Sequence, residues 1–293
     1  MIKRYLIEED IILRDFLGTT DLSSHLITKI TNGNGRFIVN DQNVNKSYLL
    51  KKGDTLEIVL PASDQGENIL SIKKDFDIVY EDAYLLVINK EPNVSCIPTI
   101  KHFNNSLANY VMSYYKINGI LSNIHFVNRL DAMTSGLVIL AKNSYINELM
   151  KNQKIIKKYV IEVEGILETE GIIETGIRRI GDETIKREVT YDFINSKTEY
   201  KVLGKNVFKN NSTFIEATLH TGKTHQLRLH FEHLGHPIIG DSLYGNKNEE
   251  GILHLHSYYL EFNHPVTNEL IRLATYPGWF LVMLESDQLN HNQ

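Results

Sequence analysis

The sequence predicts an α+β fold built on one mixed sheet with inserted helices, and three observations carry that prediction. Residues 84–89 and 136–141 are continuous apolar runs, as expected of central strands covered on both faces. Residues 159–165 alternate as a half-buried strand does, and 214–219 are rich in strand formers. Short stretches with apolar residues at i, i+3 and i+4 sit between these strands and read as helices.

Taken in order, residues 13–17 form a short helical pattern. In 22–30, Ser23 and Ser24 are hydroxyl cap candidates, and Leu26, Ile27 and Ile30 share one face. Strand patterns follow at 36–40 and 55–60, with turns at Asp41-Gln42-Asn43 and Lys52-Gly53-Asp54. The order helix, helix, G-R-F-I-V-N-D-Q-N-V and K-K-G-D-T-L-E-I resembles an S4-type RNA-binding module. The polar, turn-rich stretch 61–68 is the linker candidate. The expected division is a module at 1–62, a linker at 63–72, a catalytic domain at 73–285 and a polar tail at 286–293. Within the larger unit, Ser144 is the expected cap of a helix carrying Ile146, Leu149 and Met150. Thr224 is expected to open another, with Leu227, Phe231 and Leu234 on one face and Gly235 as its stop.

Composition sets outer bounds. The single Cys96 excludes a disulfide framework and a cysteine zinc site, and fits a reducing compartment. The first ten residues lack the apolar core of a signal peptide, and no apolar run reaches the ~18 residues of a membrane span. A soluble cytoplasmic monomer without membrane contact is expected. A net charge of −5 counts against an RNA partner, yet basic residues gather at Lys151, Lys154, Lys157 and Lys158 and around Arg178, Arg179, Lys186 and Arg187. Phosphate binding depends on such local clusters more than on the total.

Three stretches are candidates for chemistry. Asn128-Arg129-Leu130-Asp131 leads through small residues into the strand at 136, which would expose one carboxylate beside a rigid scaffold. A turn aspartate bonding its own backbone is the alternative. Tyr159 stands near the start of a strand, where a ring can stack on a base or simply join the core. The third stretch runs from Thr221 to His230, a glycine turn leading into a helix start that offers N–H groups to an anion. Arg228 lies on a different face from Leu227 and Phe231, placed either to hold a carboxylate ionised or to face solvent. The histidines at 225, 230, 233, 236, 254 and 256 follow no metal-ligand spacing, so no metal is expected.

Together these stretches resemble the RluA-type pseudouridine synthases. The family's H-R-L-D-x-x-T-S-G-L reads here N-R-L-D-A-M-T-S-G-L, and its T-G-R-T-H-Q-I-R reads T-G-K-T-H-Q-L-R, followed by G-H-P-I-I-G-D-S-L-Y-G. Lys157-Lys158-Tyr159 matches K-x-Y, and the likeness continues through V-I-N-K-E-P, L-H-L-H and F-N-H-P-V-T. The resemblance implies a mainly antiparallel sheet and a cofactor-free isomerisation of uridine in structured RNA, ribosomal RNA above transfer RNA. It implies Asp131 as the catalytic aspartate, Tyr159 as the tyrosine stacked on the target base and Arg228 as the partner of the aspartate. Arg129, Lys223, Thr224, His225 and Gln226 are the expected RNA contacts. Asn128 in place of histidine and Lys223 in place of arginine depart from the pattern and bear on RNA contacts, since lysine lacks the arginine fork. The competing reading is a non-catalytic RNA-binding or ribosome-assembly protein that keeps the fold.

Overall fold

The computed structural model describes residues 2–33, 35–60, 69–99, 103–168, 170–181, 184–205, 211–245 and 251–281. The stretch 61–68, which holds most of the expected linker, and the 286–293 tail lie outside the described residues. The first elements are β1 (Ile2–Leu6), β2 (Ile11–Ile12), α1 (Leu13–Leu17), α2 (Ser24–Asn32), β3 (Arg36–Val39), β4 (Gln42–Val44), β5 (Leu49–Leu50) and β6 (Thr55–Val59). They form a four-stranded sheet in the order β1-β6-β3-β4, with β2 and β5 paired beside it. Ser23 caps α2 by accepting the Leu26 N–H at 3.1 Å, as its position suggests.

The larger unit follows with β7 (Asp77–Glu81), β8 (Leu85–Lys90), α3 (Leu107–Ile117), β9 (His125–Phe126), β10 (Ser135–Ala141), α4 (Ser144–Asn152) and β11 (Ile156–Glu164). It continues through β12 (Gly171–Arg179), β13 (Arg187–Thr190), β14 (Ser196–Lys205), β15 (Ser212–Leu219), α5 (Gln226–His233), β16 (Leu255–Asn263) and β17 (Leu270–Ala274). One long sheet runs β13-β12-β14-β15-β11-β16-β10-β8-β7, with β17 beside β16 and β9 beside β10. Every pairing in it is antiparallel except the short β10–β16 junction, so the expected mixed, mainly antiparallel α+β sheet is observed.

The two apolar runs, expected in central strands, instead form the interior strands β10 and β8 near the β7 end of the sheet, and their period of two divides them between two cores. Leu86, Ile88, Val138 and Leu140 face a cluster with Leu107, Tyr110, Val111 and Tyr115 of α3. Leu85, Val87, Leu137 and Ile139 face the other way, onto Ile146 and Met150 of α4. That second cluster runs on into Leu13, Leu26, Phe37 and Ile58, so the N-terminal sheet and the large sheet share one apolar interior. Tyr145 reinforces the contact by donating its hydroxyl to Asp21 at 2.7 Å.

Four local features differ from the sequence reading. The turn expected at 41–43 is confined to Asn40 and Asp41, since Gln42 and Asn43 already belong to β4. Helix α3 has no counterpart there, because its tyrosines and Val111 resemble a strand; Asn109 in a capping box with Ser106 is the signal that marks it. Helix α4 is capped by Asn143 rather than Ser144. Helix α5 opens at Gln226 and not at Thr224, because His225 takes a left-handed conformation at φ 59° and ends the preceding loop.

Candidate active site

The register of three strands builds the site. Ser257 of β16 pairs with Tyr159 of β11 on one side and with Gly136 of β10 on the other. The tyrosine therefore lies level with the start of β10, where the loop carrying Asp131 ends. A register shift between Lys158 and Tyr159 marks a bulge there, a common device for re-aiming a side chain. Gly136 makes the close junction feasible: its φ is 111°, and a Cβ would stand 2.3 Å from the Ser257 carbonyl oxygen.

A cavity of about 450 Å³ opens over this junction, within the range of small-molecule sites. Asp131, Tyr159 and Arg228 all line it, as do Arg129, Lys223, Thr224, His225 and Gln226. Four cationic side chains, Arg129, Lys157, Lys223 and Arg228, face it against the single carboxylate of Asp131. Local charge is thus positive in a chain of net charge −5, which suits a polyanion.

Arg228 is the best-determined group. Its Nε and Nη2 each donate to Asp241 at 2.7 Å, a bidentate pair with side chains 3% and 0% exposed. Burial alone would raise the Asp241 carboxyl, but Arg228 and the Tyr244 and Leu243 N–H groups outweigh it and hold its pKa below the ordinary value. Asp131 is the second partner: its Oδ2 lies 3.9 Å from Nη1, with the side chain 29% exposed. The expected pairing of Arg228 with Asp131 is therefore a looser approach than its pairing with Asp241, which the sequence reading did not single out. The nearby signal was the G-D-S-L-Y-G stretch, where Gly240 sits at φ 76° with a would-be Cβ 2.2 Å from the Ile252 oxygen.

Around this pair the loop 221–225 is tied down from inside. Gln226 accepts from Thr221 Oγ1 at 2.8 Å and from the Lys223 N–H at 3.0 Å, and donates to Lys197 O and Thr198 Oγ1 at 3.0 Å each. Its buried amide is committed to the loop rather than open to a ligand. The row of free N–H groups expected at this turn is reduced as well, since Lys223 N–H meets Gln226 and Gln226 N–H meets Lys223 O. His225 directs Nε2 to within 3.9 Å of Asp131 Oδ2 while Nδ1 contacts the Tyr244 hydroxyl at 2.8 Å. Burial keeps its pKa below the ordinary histidine value, with Arg228 and Arg187 acting in the same direction. Arg129, Lys223 and Thr224 are exposed at the rim. Asn128 bridges β10, donating to Leu137 O and accepting the Ile139 N–H, so the departure at that position fills a backbone role.

Tyr159 is 5% exposed, and burial raises its phenol pKa, so the hydroxyl stays protonated at neutral pH. Two further groups escaped the sequence reading. Buried Lys90 donates to the carbonyls of Glu91, Val94 and Ala132, tethering the turn beside Asp131; burial pulls its pKa down to about 8. The Cys96 thiol, raised by burial, donates to Leu130 O at 3.3 Å and accepts the Leu130 N–H at 3.4 Å, next to the same carboxylate.

Three other histidines hold the frame. His230 contacts Thr175, Ser196 and Thr198, His256 contacts Ser135 and Thr275, and His254 contacts Glu162 while stacking on Trp279. Among the described residues no three His, Cys, Asp or Glu side chains converge as metal ligands would.

The family model described as RNA pseudouridylate synthase matches residues 84–233, which include Asp131, Tyr159 and Arg228. The chain is 36% identical to the uncharacterized RNA pseudouridine synthase YjbO of Bacillus subtilis, over 89% of this chain and 93% of that protein. It is 31% identical to ribosomal large subunit pseudouridine synthase D of Buchnera aphidicola, over 66% and 67%. Among solved structures, human RNA pseudouridylate synthase domain containing 1 shares the fold with a TM-score of 0.57 at 24% identity, over 69% of this chain and 84% of that one. Sequence, sheet and cavity agree, and the chain belongs to the RNA pseudouridine synthase family.

Proposed function

We propose that Asp131, Tyr159 and Arg228 are the reacting centre of this synthase, and that its substrate is ribosomal RNA. One observation carries the assignment: side chains from three separate segments meet in one cavity, with Arg228 Nη1 3.9 Å from Asp131 Oδ2. The reaction breaks the uridine N1–C1′ bond, turns the uracil and joins C5 to C1′; C5 loses a proton and N1 gains one. The cavity receives the base only after it leaves its stack. Asp131 acts as a carboxylate facing the guanidinium, and three routes are open to it: attack at C1′, attack on the base, or removal of the C2′ proton. Tyr159 provides a ring for the uracil to stack on and a protonated hydroxyl for a polar task.

Arg129, Lys223, Thr224 and His225 contact the RNA around the flipped nucleotide, while Gln226 holds the loop that presents them. The S4-like module at 1–62 adds a second RNA surface, in a monomer working in the cytoplasm. Relatives named for the large ribosomal subunit support the ribosomal substrate. Among the described residues no helix is long and apolar enough to cross a membrane.

The test uses total RNA carrying tritium at uridine C5, from cells lacking the gene, because isomerisation releases that label. Asp131→Asn is expected to bind this RNA and release none; undiminished release would defeat the assignment. Binding without release by the unsubstituted protein would favour the non-catalytic reading. Mapping pseudouridines in cells with and without the gene then locates the uridine, and a missing site in transfer RNA would overturn the ribosomal assignment.

A further inference from the structure

The hydroxyl of Tyr244 lies between two groups. Its oxygen accepts the Arg187 backbone N–H at 2.9 Å and contacts His225 Nδ1 at 2.8 Å. With the Arg187 donor on the oxygen, the acceptor that remains for the phenol's own proton among these contacts is Nδ1. A neutral imidazole that accepts at Nδ1 carries its proton on Nε2. That nitrogen points at Asp131 Oδ2, 3.9 Å away, and Arg228 Nη1 approaches the same oxygen at the same distance. Both exceed a hydrogen bond, as catalytic contacts often do before substrate tightens them.

The surroundings favour this arrangement. The groups facing the imidazole are Asp131 and Asp241, of one sign, and Arg228 and Arg187, of the other, besides the Tyr244 phenol. Burial keeps the ring neutral. The Tyr244 ring meets the His225 ring edge-on at 5.5 Å and stands 5.2 Å from the Arg228 guanidinium carbon, so one side chain packs against both donors aimed at Asp131.

We propose that Tyr244 is a positioning residue that fixes the His225 tautomer, so that Nε2–H and Arg228 together orient Oδ2 of Asp131 and present Oδ1 to the substrate. The proposal rests on the reading of Asp131 as the acting carboxylate. It extends the site to Arg187 of β13, whose backbone N–H sets the direction of the phenol proton.

The test is a double-mutant cycle on single-turnover release of tritium from uridine C5, with RNA affinity measured alongside. His225→Asn keeps a residue tolerant of the left-handed backbone but is too short to reach Asp131. It and Tyr244→Phe are each expected to slow single turnover at saturating RNA roughly ten- to a hundredfold, the scale of a misplaced reacting group, and Tyr244→Phe to leave RNA affinity unchanged. The double variant is expected to be no slower than His225→Asn alone. Multiplying effects, or losses confined to RNA affinity, would overturn the proposal. In the unsubstituted protein, imidazole ¹⁵N shifts should show a protonated Nε2 and a bare Nδ1; the opposite tautomer would also overturn it. Asp131→Asn, run in parallel, separates the two readings. Its retained activity removes the catalytic assignment, whereas its inactivity beside multiplying effects removes this inference alone.

Discussion

Two carboxylates flank the Arg228 guanidinium, and replacing each by its amide should separate stability from chemistry. Asp241 is fully buried and bonded bidentately, while Asp131 is 29% exposed and 3.9 Å from the same cation. Removing one partner of a buried pair costs about 3–5 kcal/mol, because the remaining charge is left uncompensated. At an unfolding entropy of about 2.1 cal/mol/K per residue, each kcal/mol is worth about 1.6 °C in this chain, so Asp241→Asn should lower Tm by roughly 5–8 °C. The amide adds a second fault, since its NH2 would face an arginine donor, or else the Leu243 and Tyr244 N–H groups now on Oδ1. Asp131→Asn disturbs a partly exposed contact without a short hydrogen bond and should cost under about 1 kcal/mol. Calorimetry gives Tm for each variant, and the tritium-release assay gives the rate. The expected result is a destabilised Asp241→Asn protein and an Asp131→Asn protein that melts like the parent but does not turn over. Equal losses of Tm would refute the reasoning, because the buried pair would then carry no special weight.

Three more outcomes are expected. Gly136→Ala places a methyl against the Ser257 carbonyl at a left-handed φ, so it should cost at least ~2 kcal/mol and abolish turnover as β10 and β16 separate; an unchanged melting curve would contradict this. Lys223→Ala removes an exposed cation at the cavity rim. It should weaken all RNA binding evenly and lower the salt slope by about one, so a slope equal to the parent's would place that ammonium off the phosphates. Burial lowers His230 and His256 to about 4, below the ~6.5 of an unfolded chain. The unfolded state then gains protons as pH falls below ~6.5 while the folded state does not, so their stabilisation is full above that value. It should fall toward pH 4 by up to about 1.4 kcal/mol per pH unit for each histidine. Urea midpoints that stay flat between pH 7 and 5 would contradict it.

Much of the fold was legible because two of its interior strands, β8 and β10, are buried on both faces. That burial writes residues 85–88 and 137–141 within those strands as unbroken apolar runs. Helix α3 was hidden by its own composition, since a buried helix whose core side chains are tyrosine and valine looks like a strand until its cap is noticed. The α5 boundary was misplaced because a left-handed histidine stops the loop, and no propensity for Thr224 or His225 signals that. At the site, Asp131, Tyr159 and Arg228 were readable from motif likeness. The tight partner of Arg228 was not, because pairing across 13 residues and a turn is a tertiary fact. Lys90 and Cys96 were invisible for a similar reason: each is defined by backbone atoms it reaches in the distant 130–132 loop, and periodicity carries no trace of those.

The split partnership of Arg228 has a consequence for how the site stays ready. A guanidinium held only by the acting carboxylate would neutralise it in a close ion pair, and a substrate would have to break that pair first. Here the strong bidentate bond goes to Asp241, which is also fixed by two backbone N–H groups, so the cation is anchored before any RNA arrives. Asp131 then lies in the cation's field without being locked to it, at a separation that keeps Coulomb attraction and leaves its lone pairs open. Preorganised charge of this kind acts without reorganising during the reaction. On this account the buried pair supplies the rigidity and the looser pair supplies the reactivity.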